Sequence, residues 1–231
     1  MTNESTFDFK QFIEESKQTL LKPADYFAGM KTSGGLTEPI IKAVIYGAVA
    51  GILGFIWSLL HLGGVGGGIF GSAVGIMILV WAVVGAVIGL FIGGVVMLVL
   101  SAIAKGNTDF EANARVTAAL MVLMPVRALF GVLSGVNFYL GMIVSLLISL
   151  YGIYMIYHAL AKALKANEGS SKIVAYVLVA LLVLFTLIGM GARKKAARFM
   201  EGDFDQRTEK MMKEFQDKAE KALEEMEKNA E

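Results

Sequence analysis

Residues 43–104 contain no Asp, Glu, Lys or Arg. About 20 apolar helical residues suffice to cross a bilayer, so this stretch holds more than one crossing and cannot be the core of a soluble domain. Ahead of it, Phe9, Phe12, Ile13, Leu20 and Leu21 recur at roughly helical spacing against Glu14, Glu15, Lys17 and Lys22. That pattern predicts an amphipathic amino-terminal arm over residues 1–39, lying on the membrane. Pro23 ends it, and Pro23-Ala24-Asp25-Tyr26-Phe27 leads to a Ser33-Gly34-Gly35 loop.

Thr37, Glu38 and Pro39 read as a helix start, with Thr as cap and Pro in the first turn. The hydropathy pattern then predicts a transmembrane bundle over 40–190, with spans at about 40–60, 82–104, 116–133, 138–160 and 173–190. Residues 69–104 as one helix would measure about 54 Å at 1.5 Å per residue, nearly twice the ~30 Å of hydrocarbon. Residues 69–81 are therefore expected to form a protruding or membrane-surface extension, with Trp81 at the same interface as Trp57; a steeply tilted single helix is the alternative. Pro125 and Arg127 interrupt the third span, and Tyr139, Tyr154 and Tyr157 near the ends of the fourth suit an aromatic belt. Residues 191–231 form a basic, then mixed-charge tail in which Phe204, Met211, Phe215, Leu223 and Met226 mark one helical face. The predicted fold class is thus an all-α membrane protein, a bundle of about five spans between two amphipathic helical arms.

Composition agrees: 56% of residues are hydrophobic, 18% are charged and the mean hydropathy is +0.64. A net charge of +1 points to no nucleic-acid partner, and the lack of cysteine excludes thiolate metal sites and thiol nucleophiles. The first 39 residues do not have the pattern of a cleavable signal, so the first span is expected to act as its own insertion signal. Lys and Arg cluster in the amino-terminal segment and in residues 105–115 and 162–172, which puts these on the cytoplasmic side. Five spans then place the tail opposite, although Arg193 to Arg198 is the densest basic cluster. Helical spans favour a bacterial inner membrane over an outer-membrane barrel.

Ionisable groups near or within spans are the first functional candidates. Lys105, Arg115 and Arg127 are the candidates for a lipid headgroup or a partner. Gly85, Gly89 and Gly93, four apart, are candidates for close helix packing, either within the bundle or between copies in a homo-oligomer. No metal site, cofactor or catalytic residue is expected, because the predicted spans carry no acidic residues for a dyad or a metal motif.

Further residues carry a resemblance. Pro23-Ala24-Asp25-Tyr26-Phe27 precedes the spans, and Leu100-Ser101-Ala102-Ile103-Ala104-Lys105-Gly106 leads to Asp109-Phe110, Arg115 and Pro125. Leu150-Tyr151-Gly152-Ile153-Tyr154 follows, with His158 shortly after. Over about residues 20–190 the chain resembles the Yip family of Ypt/Rab-interacting integral membrane proteins, in its bacterial form. The resemblance implies five spans and a cytoplasmic amino terminus. The acidic Tyr-Gly-Pro signature of the eukaryotic relatives, which are associated with Rab GTPases, is not evident here. The tail beyond residue 190 exceeds the family's usual end.

The resulting expectation is a non-enzymatic membrane scaffold or adaptor that binds a membrane or peripheral protein, through the carboxyl-terminal tail among others, or organises the bilayer lipids. The alternative is a lipid or small-solute permeation protein using a basic site near Arg115 and Arg127.

Overall fold

The computed structural model describes residues 7–60, 62, 71–189 and 211–212. The helices are α1 (Phe9–Leu21), α2 (Pro23–Gly29), α3 (Thr37–Leu59), α4 (Gly71–Ile103), α5 (Phe110–Leu120), α6 (Leu123–Phe130), α7 (Val132–Val136), α8 (Phe138–His158) and α9 (Glu168–Gly189). A π-helical turn, Ala159–Ala163, continues α8. No strand occurs among the described residues.

Among the described residues, five stretches are long and apolar enough to cross a membrane: Thr37–Leu59, Leu79–Ile103, Phe110–Val136, Phe138–Ala163 and Glu168–Gly189. Large apolar side chains such as Ile92, Leu147 and Ile173 point outward from them, the expected arrangement where lipid is the solvent. The chain divides into two compact units, residues 1–179 and 180–231. In the second, the described residues are the last turns of α9 and Met211–Met212; the rest of the predicted tail lies outside the described residues.

Local chemistry sets the helix ends. Asp8 accepts from the amides of Lys10 and Gln11 to cap α1, Asp109 from Ala112 to cap α5, and Asn137 from Leu140 to cap α8. The start of α3 differs from the predicted cap: Thr37 lies in the first turn, Leu36 precedes it, and no side chain caps the free amides. Pro39 sits where its missing N–H costs no intrahelical bond. Residues 71–103 form one unbroken helix through Trp81, which is 64% exposed. The third span is broken at Met121–Val122. Pro125 has no amide to donate to the Met121 carbonyl, which accepts instead from Met124 at 2.8 Å, a tighter turn that ends α5 and starts α6.

Glycine permits the closest crossing. A Cβ on Gly47 of α3 would lie 2.6 Å from the Ala86 Cβ of α4, and one on Gly51 would lie 3.0 Å from that of Ala82. Backbones can approach closely only where such side chains are absent. The best-buried core lies toward the arm, where Phe12, Phe27, Tyr46, Val116, Met155, Leu160 and Leu164 pack together.

Candidate functional site

The polar centre of the molecule forms where α1, the 30–36 loop, the start of α3 and α5 converge. Phe12 and Thr19 turn α1 inward, and Phe12 packs on Tyr46 of α3 with ring centres 5.1 Å apart. The Ser16 and Tyr46 hydroxyls lie 2.7 Å apart, and the Tyr151 hydroxyl of α8 donates to the Leu20 carbonyl at 2.5 Å. The arm is therefore joined to the spans by specific bonds. Its other face keeps Phe9, Ile13 and Leu21 exposed.

Four charges complete the joint. Lys42 Nζ lies 2.7 Å from Glu15 Oε2 and 2.7 Å from Glu38 Oε1. Arg115 donates from Nη2 to Glu38 Oε2 at 2.5 Å, from Nη1 to the Gly35 carbonyl at 2.9 Å and from Nε to the Lys31 carbonyl at 3.0 Å. Lys42 and Arg115 are buried, with side chains 8% and 7% exposed. Buried cations at such positions need close partners, and here two cations share two carboxylates. Gly35 adopts φ +85°, a left-handed conformation that glycine takes without a Cβ penalty, and its amide donates to Glu111 at 2.6 Å. Burial raises the Tyr26 phenol above its ordinary value, so the ring stays neutral beside this cluster.

On the same side, the 104–109 and 164–167 loops are hydrogen-bonded to each other. The Asn107 amide donates to the Leu164 carbonyl at 2.8 Å, and the Asn167 amide donates to the Ala104 carbonyl at 3.1 Å. Ser101 Oγ donates to the Asn107 carbonyl, and the side chain of Asn113 donates to the carbonyls of Asn107 and Asp109. A Cβ on Gly106 would lie 2.7 Å from Ser101 Oγ and 2.8 Å from the Ala166 Cβ, so the two loops meet over a bare backbone.

The three basic residues singled out from sequence share no partner among the described residues. Arg115 is at the centre of the joint. Lys105 is exposed in a left-handed conformation, φ 58°, and ends α4: its amide donates to Ala102 and the Gly106 amide to Ser101. Arg127 is exposed on α6, donates to Ser149 Oγ at 3.1 Å and borders a small cavity of about 70 Å³ with Ser134 and Ser145. The glycine ridge also divides. Gly85 and Gly89 have open space beside them, whereas Gly93 faces Thr117 of α5, whose Cγ2 would lie 2.7 Å from an added Cβ.

Glu15, Glu38 and Lys42 were not among the residues singled out. A local signal existed, since Glu38 and Lys42 are four apart on one helix and Lys42 is the last charge before the charge-free run. Glu15 had none, as its partner is 27 residues away.

A family model described as Yip1 domain matches residues 17–190. No curated protein and no solved structure matches the chain.

Proposed function

The chain belongs to the Yip1 domain family, and from that premise we propose that this multi-pass membrane protein is a non-enzymatic scaffold or adaptor that displays its arm-side platform to a membrane or peripheral protein partner. The observation that supports this most is the unbroken series of ion pairs from Glu15 through Lys42 and Glu38 to Arg115, which fixes α1 to the spans while leaving Phe9, Ile13 and Leu21 outward. Two cations and two carboxylates satisfy each other there, which suits a joint that holds shape better than one that turns over a charged substrate. The fixed apolar face of α1, flanked by Lys10, Lys17 and Lys22, suits contact with a protein or with the headgroup layer.

In this reading the platform faces the cytoplasm of a bacterial cell with the chain in its inner membrane, because the basic loops lie on that side. The carboxyl-terminal tail is a second partner-binding element, and lipid is the constant companion of the spans. Three of the Arg115 donors are already engaged, which favours the scaffold over permeation through a basic site.

Affinity purification of the full chain from native membranes in mild detergent tests the proposal. A partner protein should be recovered with the wild type and lost with Ile13→Asp, while the variant stays monodisperse and membrane-inserted. Equal recovery of co-purifying proteins with both chains would defeat the platform reading. Solute flux in liposomes that disappears with Arg127→Ala would favour the permeation alternative instead.

A further inference from the structure

On the outer side of the bundle, α8 and the first turns of α9 enclose an open groove of about 320 Å³, at the small end of the range for ligand pockets. Its two ends differ chemically. Tyr157 and Lys172 lie near the arm-side ends of the two helices, while Leu150 and Val179 lie two helical turns, about 10 Å, deeper along each. Between them, Ile153 and Ala175 continue the apolar floor, and the exposed Tyr154 and Tyr176 also line the groove. The groove therefore runs from a cation and phenol groups at the membrane surface into hydrocarbon depth.

Three features bear on the occupant. Neighbouring Ile173, Tyr176 and Val177 are exposed, Tyr176 by 72%, so the groove opens onto the part of the surface that lipid covers. Lys172 forms no ion pair among the described residues, whereas Lys162 close by is matched by Glu168 at 3.6 Å. The segment 159–172 has three lysines against that one glutamate, so the rim attracts anions. Tyr154 and Tyr157 are also held in place, since His158 packs edge-on against both, at 4.5 and 5.0 Å between ring centres.

We propose that this groove is a binding site for an anionic glycerophospholipid of the surrounding bilayer. One acyl chain lies along Ile153, Ala175 and Val179. Lys172 contacts the phosphate, and the phenol groups of Tyr157 and Tyr176 bond to the headgroup and ester oxygens. A zwitterionic lipid fills the same floor but brings its own cation to the lysine, so the site selects for net negative charge. The assignment is independent of the scaffold reading, because it uses none of the arm-side joint and none of the three basic residues singled out from sequence.

Native mass spectrometry of the full chain in mild detergent tests it, with phosphatidylglycerol and phosphatidylcholine of identical chains offered in equal amounts. The wild type should retain phosphatidylglycerol preferentially. Lys172→Gln should lower that retention about fivefold, the worth of one lysine at a membrane surface, whereas Lys165→Gln, the same charge change outside the groove, should not. Ala175→Trp should reduce retention with Lys172 intact, and Lys172→Gln alone decides the matter if that variant does not stay monodisperse. Equal retention of the two lipids, annular lipid only, would overturn the proposal. So would equal losses in the Lys172 and Lys165 variants, or displacement of the lipid by glycerol 3-phosphate, which would make this a site for phosphate alone.

Discussion

The Arg115 guanidinium and the Glu38 carboxylate, 77 residues apart in the chain, meet at 2.5 Å between Nη2 and Oε2. The bond ties α5 to the start of α3. Because the same guanidinium donates to the carbonyls of Lys31 and Gly35, it also holds the loop that returns from the arm to the first span.

Arg115→Ala removes three donors at once and leaves two backbone carbonyls and part of a carboxylate without their partner. Breaking a buried ion pair from one side costs about 3 kcal/mol or more. Thermal unfolding in detergent should shift accordingly, and limited proteolysis should open the 30–36 loop. Arg115→Lys should recover less than half of the loss, since an ammonium does not reproduce the planar fork that reaches three acceptors. Full recovery by lysine would mean that charge alone sustains the joint.

Lys42 and Glu15 should respond unequally. Glu15→Gln leaves Lys42 with Glu38 at 2.7 Å, so a loss of about 1 kcal/mol is expected. Lys42→Met takes the cation from both carboxylates and should cost more. The two substitutions together should couple by about 0.5–1 kcal/mol in a double-mutant cycle, because the residues are in direct contact and the coupling is bounded by the loss from Glu15→Gln alone. Protease cleavage around residues 22–30, read beside the unfolding curves, reports whether α1 has come away. Additive losses would show that the ion pair does not hold the arm.

How much of this was readable from sequence follows from the range of each interaction. The five spans were legible because a charge-free run is a local property that hydrocarbon demands. The break in the third span was legible at Pro125 for the same reason. The amphipathic pattern of α1 was visible, but not that Phe12 turns to Tyr46 while Phe9 and Ile13 stay outside, because a helix with apolar residues on two sides does not say which side meets the bundle. Ser101, Gly106, Asp109 and Arg115 stood out through the family resemblance. Asp109 caps α5 on Ala112 and Ser101 bonds to Asn107, both within a few residues. Gly106, however, works against Leu164 and Ala166, and Arg115 against Lys31 and Glu38, none of them close in the chain, so no spacing could reveal those two roles. The glycine ridge shows the limit of a periodic argument. A four-residue step turns about 40° around a helix with 3.6 residues per turn, so Gly93 has rotated about 80° from Gly85 and faces α5 instead of open space.

Gly106→Val should uncouple the two arm-side loops. The added atoms meet Ser101 Oγ and the Ala166 Cβ, and the Leu164 carbonyl lies 3.0 Å from the first of them. Overpacking of this kind costs about 1–3 kcal/mol. Amide exchange at Asn107 and Asn167, whose N–H groups bridge the loops, should accelerate before that of the spans. Unchanged protection at both amides would show that the loops tolerate separation.

Substitutions along α4 can separate folding from association. Gly93→Leu drives a side chain into Thr117 and should destabilise the α4–α5 contact by about 1–3 kcal/mol. A Cβ at Gly85 or Gly89 would have no neighbour within 4 Å among the described residues, so Gly85→Leu and Gly89→Leu should change the unfolding temperature in detergent far less than Gly93→Leu. If copies of the chain associate through this open ridge, cross-linking in native membranes should give dimer for the wild type and monomer for Gly89→Leu, at unchanged stability. Dimer that persists in Gly89→Leu, or disappears only with Gly93→Leu, would move the contact off the ridge, because Gly93 is already occupied by a neighbour within its own bundle.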